Sequence, residues 1–310
     1  MKYIAYKIIN SIFLFFYKKN FYSDILFSKE NIRINSVTDI LFDFSHSSTH
    51  LGDRLFFFPL IESLHHAGIK IHLSKKDKIS IDLFQSLNDS IKFYQFSYTN
   101  NVDLIIVPAP SLLALWNEHK ESQLVICNFN DIMSNDILKE LDLGISKLVN
   151  IEISSKNKYA NLPFFKSNFL PSTSDKYFIY SNYIDSGWFR KYFVNTNSLD
   201  EKAKSLRAQG YKIIHVGSIK DLKDDPKNYE FIDQDLRAKI SIPELSYLIR
   251  DDRVIGSITY DNFIMHLSGI YNKKTFVLFR GRFLNKNILK HLNYINPVFF
   301  HINNEINYLK

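Results

Sequence analysis

Only one cysteine, Cys127, occurs in the chain. That excludes an internal disulfide, leaves too few thiolates for a cysteine-based zinc site, and fits a reducing compartment. There is no long block of Lys and Arg and no recognisable nucleic-acid motif, so no nucleic-acid partner is expected despite a formal net charge of +7. The P-loop, the G-x-S-x-G nucleophile turn and the G-x-G-x-x-G fingerprint are also missing, which removes the short-motif arguments for the enzyme classes that carry them. Long apolar runs are lacking too. Residues 3–17 are rich in Ile and Phe, but Lys7, Asn10, Lys18 and Lys19 interrupt or close the run. Its uninterrupted part, residues 12–17, is far short of the ~20 residues a spanning helix needs. No small-residue cleavage site follows, which argues against a secretory signal.

What remains is an ordinary globular balance, 45% hydrophobic and 23% charged over 310 residues. That length is comfortable for two α/β domains, because single cores rarely grow much beyond ~250–300 residues. The positive charge then points to an anionic membrane surface or to phosphorylated small molecules. On a helical wheel Ile4, Ile8, Ile12, Phe15 and Phe16 gather on one side. Lys7, Asn10, Ser11 and Lys18 gather on the other, with Leu14 the misfit. This is an amphipathic pattern, and its apolar face has two readings: packing on the protein's own core, or lying in a headgroup layer. The second brings residues 1–25 to an anionic membrane.

The apolar pattern predicts a strand at 38–44, a Ser/His-rich loop, a helix from 52 to 66 closed by Gly68, and a strand at 69–73. Further strands are expected at 91–96, 102–107, 123–127 and 147–151, with helices at 111–120 and 131–141 between the later ones. Residues 161–174 carry two prolines and no periodicity, and read as a linker. The pattern then restarts: strand 177–181, helix 198–209 ended by Gly210, strand 211–216, short strand 231–232, helix 241–250, strand 254–258, helix 261–271 and strand 275–279. Strands alternating with helices predict parallel sheets covered on both faces. The expected division is a lead-in at 1–34, a first Rossmann-like domain at 35–170 and a second at 171–310. In such folds ligands bind at the carboxyl ends of strands, so the loops just after strands carry the chemistry.

Three such loops stand out. In His50-Leu51-Gly52-Asp53-Arg54, Gly52 permits a tight strand-to-helix turn and Asp53 sits at the helix start, as a simple cap or as a functional carboxylate. After strand 254–258, Asp261 opens a helix whose first amides, at Asn262 and Phe263, suit phosphate. Asp261 is either a cap or a ribose partner, and His266 either a core histidine or a ligand contact. Arg280-Gly281-Arg282, after the last clear strand, suits a diphosphate or is a solvated pair.

Taken in order, these loops resemble the bacterial lipopolysaccharide heptosyltransferases. Residues 235–245, D-L-R-A-K-I-S-I-P-E-L, followed by Leu248-Ile249, are similar to that family's D-L-x-G-K-x-S-[LI]-x-E-L-x-x-L-I. Asp261 with Met265-His266-Leu267 resembles its D-[ST]-G-x-x-H-L, and Leu51-Gly52-Asp53 with Pro59 and Leu64 resembles L-G-D-x-[LV]-x-x-x-P-x-[IL]-x-x-L. The resemblance spans residues ~38–68 and ~211–282, in the order and spacing a shared fold imposes.

The resemblance implies a GT-B fold, two Rossmann-like domains facing across a cleft, and an inverting transfer needing neither metal nor cofactor. It implies Asp53 as catalytic base, with His50, Gly52 and Arg54 toward the acceptor. It implies a nucleotide-sugar held by Asp261, Asn262, Phe263 and His266, with Gly217-Ser218 after strand 211–216, Asp221 toward the ribose, and Arg280 and Arg282. The acceptor is then a lipid-linked or oligosaccharide intermediate of lipopolysaccharide, O-antigen or capsule, and the protein cytoplasmic, held peripherally at the inner membrane. Several positions depart from the pattern. Asn262-Phe263-Ile264 replaces Ser/Thr-Gly-Pro, Arg280 begins the turn the family makes glycine-rich, and Ala238 replaces a glycine. Residues 181–193 keep only a Trp and basic residues of the K-x-W-P region. These departures leave two alternatives open: a degenerate sugar-binding or scaffold subunit, and a nucleotide-sugar epimerase. His46, His50, His65 and His66 are spaced too irregularly for a metal set, and Asp224-Asp225 and Asp251-Asp252 read as solvated turns rather than a metal-binding D-x-D.

Overall fold

A computed structural model describes residues 37–45, 51–96, 102–108, 123–127, 167–170, 174–182, 197–260, 262–278 and 299–301. The expected N-terminal amphipathic helix, the strand at 147–151 and the helices at 111–120 and 131–141 lie outside them. The chain divides into two compact units, Met1–Ser155 and Lys156–Lys310.

In the first unit, strand β1 (Asp39–Phe42) leads into a short helix α1 (Leu51–Arg54), a 3-10 turn (Leu55–Phe57) and helix α2 (Phe58–His66). Pro59 falls in the first turn of α2, where a missing N–H leaves no helical bond unmade. Strand β2 (Lys70–Ser74), helix α3 (Lys78–Leu87) and strands β3 (Phe93–Phe96), β4 (Leu104–Pro108) and β5 (Gln123–Cys127) follow. All pair in parallel in the order β3-β2-β1-β4-β5. Ile40, Leu41 and Phe42 on β1 are wholly buried, as a central strand covered on both faces requires. Phe44, just past β1, packs its ring 5.7 Å from both Phe57 and Phe84 and so joins the 3-10 turn and α3 to the sheet. Helix α3 was not expected from sequence. Asp77 caps it, accepting the Ser80 N–H, and Ile81, Leu83, Phe84 and Leu87 form its buried face.

The second unit runs β6 (Tyr177–Ser181), α4 (Asn197–Ala208), β7 (Lys212–His215), α5 (Ile219–Asp224), β8 (Gln234–Asp235), α6 (Ile242–Arg250), β9 (Val254–Tyr260), α7 (Phe263–Ile270), β10 (Lys274–Leu278) and β11 (Phe299–His301). The sheet is again parallel, in the order β11-β10-β9-β6-β7-β8. Relative to its own first strand each sheet has the Rossmann order, reversing between β1 and β4 in one unit and between β6 and β9 in the other. Phe178, Tyr180, Ile258 and Phe276 from the strands pack with Leu199, Ala203 and Leu206 of α4. At the middle of this sheet the backbones approach so closely at Gly256 that a Cβ there would lie 1.9 Å from the Lys274 carbonyl oxygen. No side chain fits without moving a strand.

Two expectations need correction. The short strand forms at Gln234–Asp235 rather than at 231–232. Phe231 instead buries its ring in the core, while the Asp233 carboxylate accepts the Ile213 N–H at 2.9 Å. Asp251 does not lie in a solvated turn. It is wholly buried, paired with Arg253 through Nε at 3.0 Å and Nη2 at 2.7 Å. Its carboxylate also accepts the Ser167 N–H at 2.6 Å, while Arg253 donates to the Ser167 carbonyl at 3.0 Å and Lys273 Nζ to the Asp251 carbonyl at 2.7 Å. This clamp ties the chain at Ser167 to the base of β9. Burial pushes the Asp251 carboxyl up, but the bonds from Arg253 and Ser167 outweigh it and hold the pKa at about 2. Burial also depresses Lys273, to about 8.

Ala238 supplies a test of the register behind the resemblance. It stands where the family has glycine, and its φ of 58° lies in the left-handed region that glycine enters without strain. Its N–H donates to the Gly217 carbonyl at 2.9 Å, so the strained turn joins the loops after β7 and β8. Ala238→Gly is therefore expected to raise stability by about 0.5–1 kcal/mol, the relief of a left-handed Cβ less the entropy a glycine adds to the unfolded chain. Denaturant unfolding checks it, and an unchanged or lower midpoint counts against strain at this position.

Candidate active site

Both motif loops fall at carboxyl ends of central strands, beside the point where strand order reverses. In the first unit the chain leaving β1 returns as α1, which contains Gly52, Asp53 and Arg54. The Arg54 guanidinium is committed locally: Nη1 donates to both Asp77 carboxylate oxygens at 2.8 Å and to Ser80 Oγ at 2.7 Å, and the group lies over the Phe44 ring. It thus fastens α1 to the cap of α3, which fixes the backbone of the turn that carries Asp53. The side chain of Asp53 and the whole of His50 lie outside the described residues.

In the second unit β9 ends at Tyr260, and Asn262 caps α7. Its Oδ1 accepts the Ile264 and Met265 N–H groups at 2.9 and 3.4 Å and the Thr259 hydroxyl at 2.9 Å, while Nδ2 reaches Ser181 Oγ, at the end of neighbouring β6. Asn262 therefore bridges the two strands that flank the switch point. Phe263 is the first residue of α7, and His266 lies one turn on, buried. Burial alone depresses the His266 imidazole to about 4, so it is neutral near pH 7. Asp261, Arg280 and Arg282 lie outside the described residues.

The third set, Gly217, Ser218 and Asp221, forms the turn from β7 into α5. Ser218 caps this helix, accepting the Lys220 and Asp221 N–H groups, and the Asp221 carboxylate folds back onto the Ser218 N–H at 2.6 Å and hydroxyl at 2.8 Å. A Cβ at Gly217 would meet that carboxylate at 2.5 Å, so the absence of a side chain at 217 is what lets the reciprocal cap close. Asp221 thus has a structural role here in addition to any toward a ribose.

A polar network that no sequence motif marks lies beside this turn. Asn182, the residue after β6, donates through Nδ2 to Asp225 Oδ2 at 2.8 Å and to the Tyr229 hydroxyl at 2.9 Å. Tyr229 donates to the same carboxylate oxygen at 2.6 Å, and His215 Nε2 meets Asn182 Oδ1 at 3.1 Å. With Oδ1 as acceptor, His215 carries its proton on Nε2 and leaves Nδ1 deprotonated. Burial, reinforced by the Arg237 charge, lowers His215 to about 4. Burial raises Asp225, but the bonds from Tyr229 and Asn182 overcome this and hold it below the usual carboxylate range. Arg237, almost wholly buried, grips both oxygens of Asp235 and donates to the Asp225 and Lys227 carbonyls. The position of Asn182 immediately after a strand was the available signal.

The two neutral histidines give a pH dependence whose sign is fixed. Both titrate near 6.5 in the unfolded chain and only near 4 in the fold. Between those values the unfolded chain binds more protons, so stability falls as pH drops from about 6.5 to about 4 and levels off below. His215→Gln is expected to shallow that fall, as measured by denaturant midpoints across the range. A profile with the same slope in the variant shows that His215 does not contribute.

No protein-family model matches the chain, and no curated protein matches it in sequence. Its fold does match solved structures. A glycosyl transferase family 9 protein from Veillonella parvula superposes with a TM-score of 0.55 at 15% identity, over 80% of this chain and 83% of that one. The ADP-heptose lipopolysaccharide heptosyltransferase II of E. coli gives 0.51 at 13%, over 83% and 98%. E. coli heptosyltransferase WaaC with ADP gives 0.53 at 12%, over 81% and 89%. The two parallel α/β units of this chain therefore have the fold of these glycosyltransferase structures.

Proposed function

We propose that this protein is an inverting, metal-independent glycosyltransferase that moves a sugar, heptose or a relative, from a nucleotide-sugar to a lipid-linked or oligosaccharide acceptor of the cell envelope. The supporting observation is positional. The loops at Gly52–Arg54 and Asn262–His266, which carry the sequence resemblance, lie at the switch points of two Rossmann sheets, in a fold shared with a family 9 glycosyl transferase and two heptosyltransferases. Asp53 takes the proton of the acceptor hydroxyl as its oxygen attacks the anomeric carbon from the face opposite the leaving group. The bond from that carbon to the nucleoside diphosphate breaks, and the charge departs on the diphosphate. The amino end of α7 stabilises it through its dipole, with Arg280 and Arg282 supplying positive charge. Neutral His266 holds the sugar or diphosphate as a hydrogen-bonding group rather than as a cation.

A second reading, a sugar-binding or scaffold subunit without turnover, is favoured by one observation. Asn262 already occupies two of the first amides of α7 with its own side chain. A thermal-shift screen of ADP-, GDP-, UDP-, CMP- and dTDP-sugars separates the two readings. A donor present at 100 times its Kd raises stability by about 2.7 kcal/mol. A clear shift with one nucleotide class is expected, and no shift with any of them rejects the transferase reading.

A further inference from the structure

The opposite edge of the second sheet carries a separate feature. Helix α4 ends beside the first residue of β7, at the amino ends of the strands, whereas the donor loops lie at their carboxyl ends. A pocket of about 450 Å³ opens there, lined by Lys204, Arg207, Lys212, Tyr211 and Phe231 together with backbone at Gly210. Lys204 and Arg207 are three residues apart on α4 and share a face. The Arg207 guanidinium is aimed by a 2.9 Å bond from Nη1 to the Glu230 carbonyl, and Lys204 Nζ stands 5.8 Å from the Phe231 ring centre.

The local acids, Asp233 and Asp200, do not balance these three cations. Asp233 Oδ1 is shared by Arg207 at 3.5 Å and Lys212 at 3.4 Å, both long contacts, and its other oxygen accepts the Ile213 N–H. The Arg207 and Lys212 side chains remain nearly half exposed, at 46% and 45%. The Ser205, Leu206 and Arg207 carbonyls near the end of α4 accept the N–H groups of Gln209, Gly210 and Tyr211, which weakens the negative end of the helix beside the pocket. Arg207 and Lys212 share the Asp233 carboxylate, and Lys204 has the Asp200 carboxylate within electrostatic range one turn earlier on α4. Three cations against these two acids, above an aromatic floor, match a doubly charged oxyanion that accepts several charge-assisted hydrogen bonds at once.

We propose that this pocket is a second anion site, which binds the phosphate group of a phosphomonoester or diphosphate independently of the donor loops. That group belongs either to a free phosphate compound or to a lipid headgroup, and two arms of one experiment distinguish them. Calorimetry of the full chain with inorganic pyrophosphate reads the first source. Co-sedimentation with phosphatidylcholine vesicles, with and without phosphatidic acid, reads the second. Each arm compares the native protein with a Lys204→Gln/Lys212→Gln variant, whose melting temperature verifies the fold, and with Arg207→Lys, which keeps the charge. Binding in one arm is expected to weaken about ten-fold or more in the double variant and to persist largely in Arg207→Lys. Equal binding by native protein and double variant in both arms, or no binding in either, overturns the site. Pyrophosphate binding that survives in the double variant reports the donor loops, so failure here leaves the proposed function standing.

Discussion

Asp53→Asn is expected to lower the rate of sugar transfer about 10³-fold, while the nucleotide-sugar still raises the melting temperature as it does in the native protein. The asparagine keeps the shape of the side chain and removes only its capacity to take a proton, and general-base assistance contributes about 10²–10⁴-fold in rate. Because Asp53 lies in the first unit and the proposed donor loops in the second, the two readouts are separable. A variant that retains native turnover removes Asp53 from the mechanism and leaves it as a helix-start residue. One that loses donor binding along with turnover identifies a structural defect instead. Arg54→Met is the informative companion. It releases the turn from Asp77 and Ser80 without touching the carboxylate, so its loss of rate measures how much the base depends on being held in place.

Asp251→Ala is expected to cost the second unit about 3–5 kcal/mol, because it strands the Arg253 cation in a buried site and opens the hydrogen bonds at Ser167. For a unit of this size that corresponds to a fall in melting temperature of about 10 °C. Replacing both members, as in Asp251→Leu with Arg253→Met, should cost less than Asp251→Ala alone, since no charge is then left unpaired. A double variant as unstable as the single one shows that the geometry at Ser167, rather than the stranded charge, dominates. The pair also sets an acid limit. Its contribution is complete above the unfolded carboxylate pKa of 3.8 and is lost as pH falls through about 2.

Much of this architecture was legible because apolar periodicity and turn residues are local signals. Ser241 and Glu244 announce α6 through a reciprocal cap, and Gly210 ends α4 at the position expected. What could not be read locally is what distant residues decide. The doublet Asp251-Asp252 looks solvated in sequence, and only the Ser167 amide, 84 residues away, with Arg253 makes a buried carboxylate of its first member. Helix α3 has no clear sequence signature because Ser80 and Ser86, both buried, interrupt its apolar stripe, and their satisfaction depends on Asp77, Arg54 and the Leu83 carbonyl. Phe231-Ile232 suggested a strand by its residue types, but the pairing with β7 falls on Gln234-Asp235, whose identity backbone bonding scarcely constrains. In the candidate site, the Gly52-Asp53 and Asn262–His266 loops stand out by their place just after strands, and the family likeness supplies their roles. The Asn182–His215–Tyr229–Asp225 network has no sequence signature, because its members come from three separate segments and match no motif.

The strand order of the second unit also governs when that unit can form. Strand β6 emerges first, yet one of its two neighbours is β9, paired from Tyr177 with Val254 to Ser181 with Thr259. A chain leaving the ribosome therefore carries its central strand with one edge open until β9 has been made. Loop closure over such separations slows folding and leaves an apolar edge available to other chains. Nascent chains that stop before residue 254 should be recovered on holdase chaperones or in aggregates, and those extended past residue 278 should become protease-resistant.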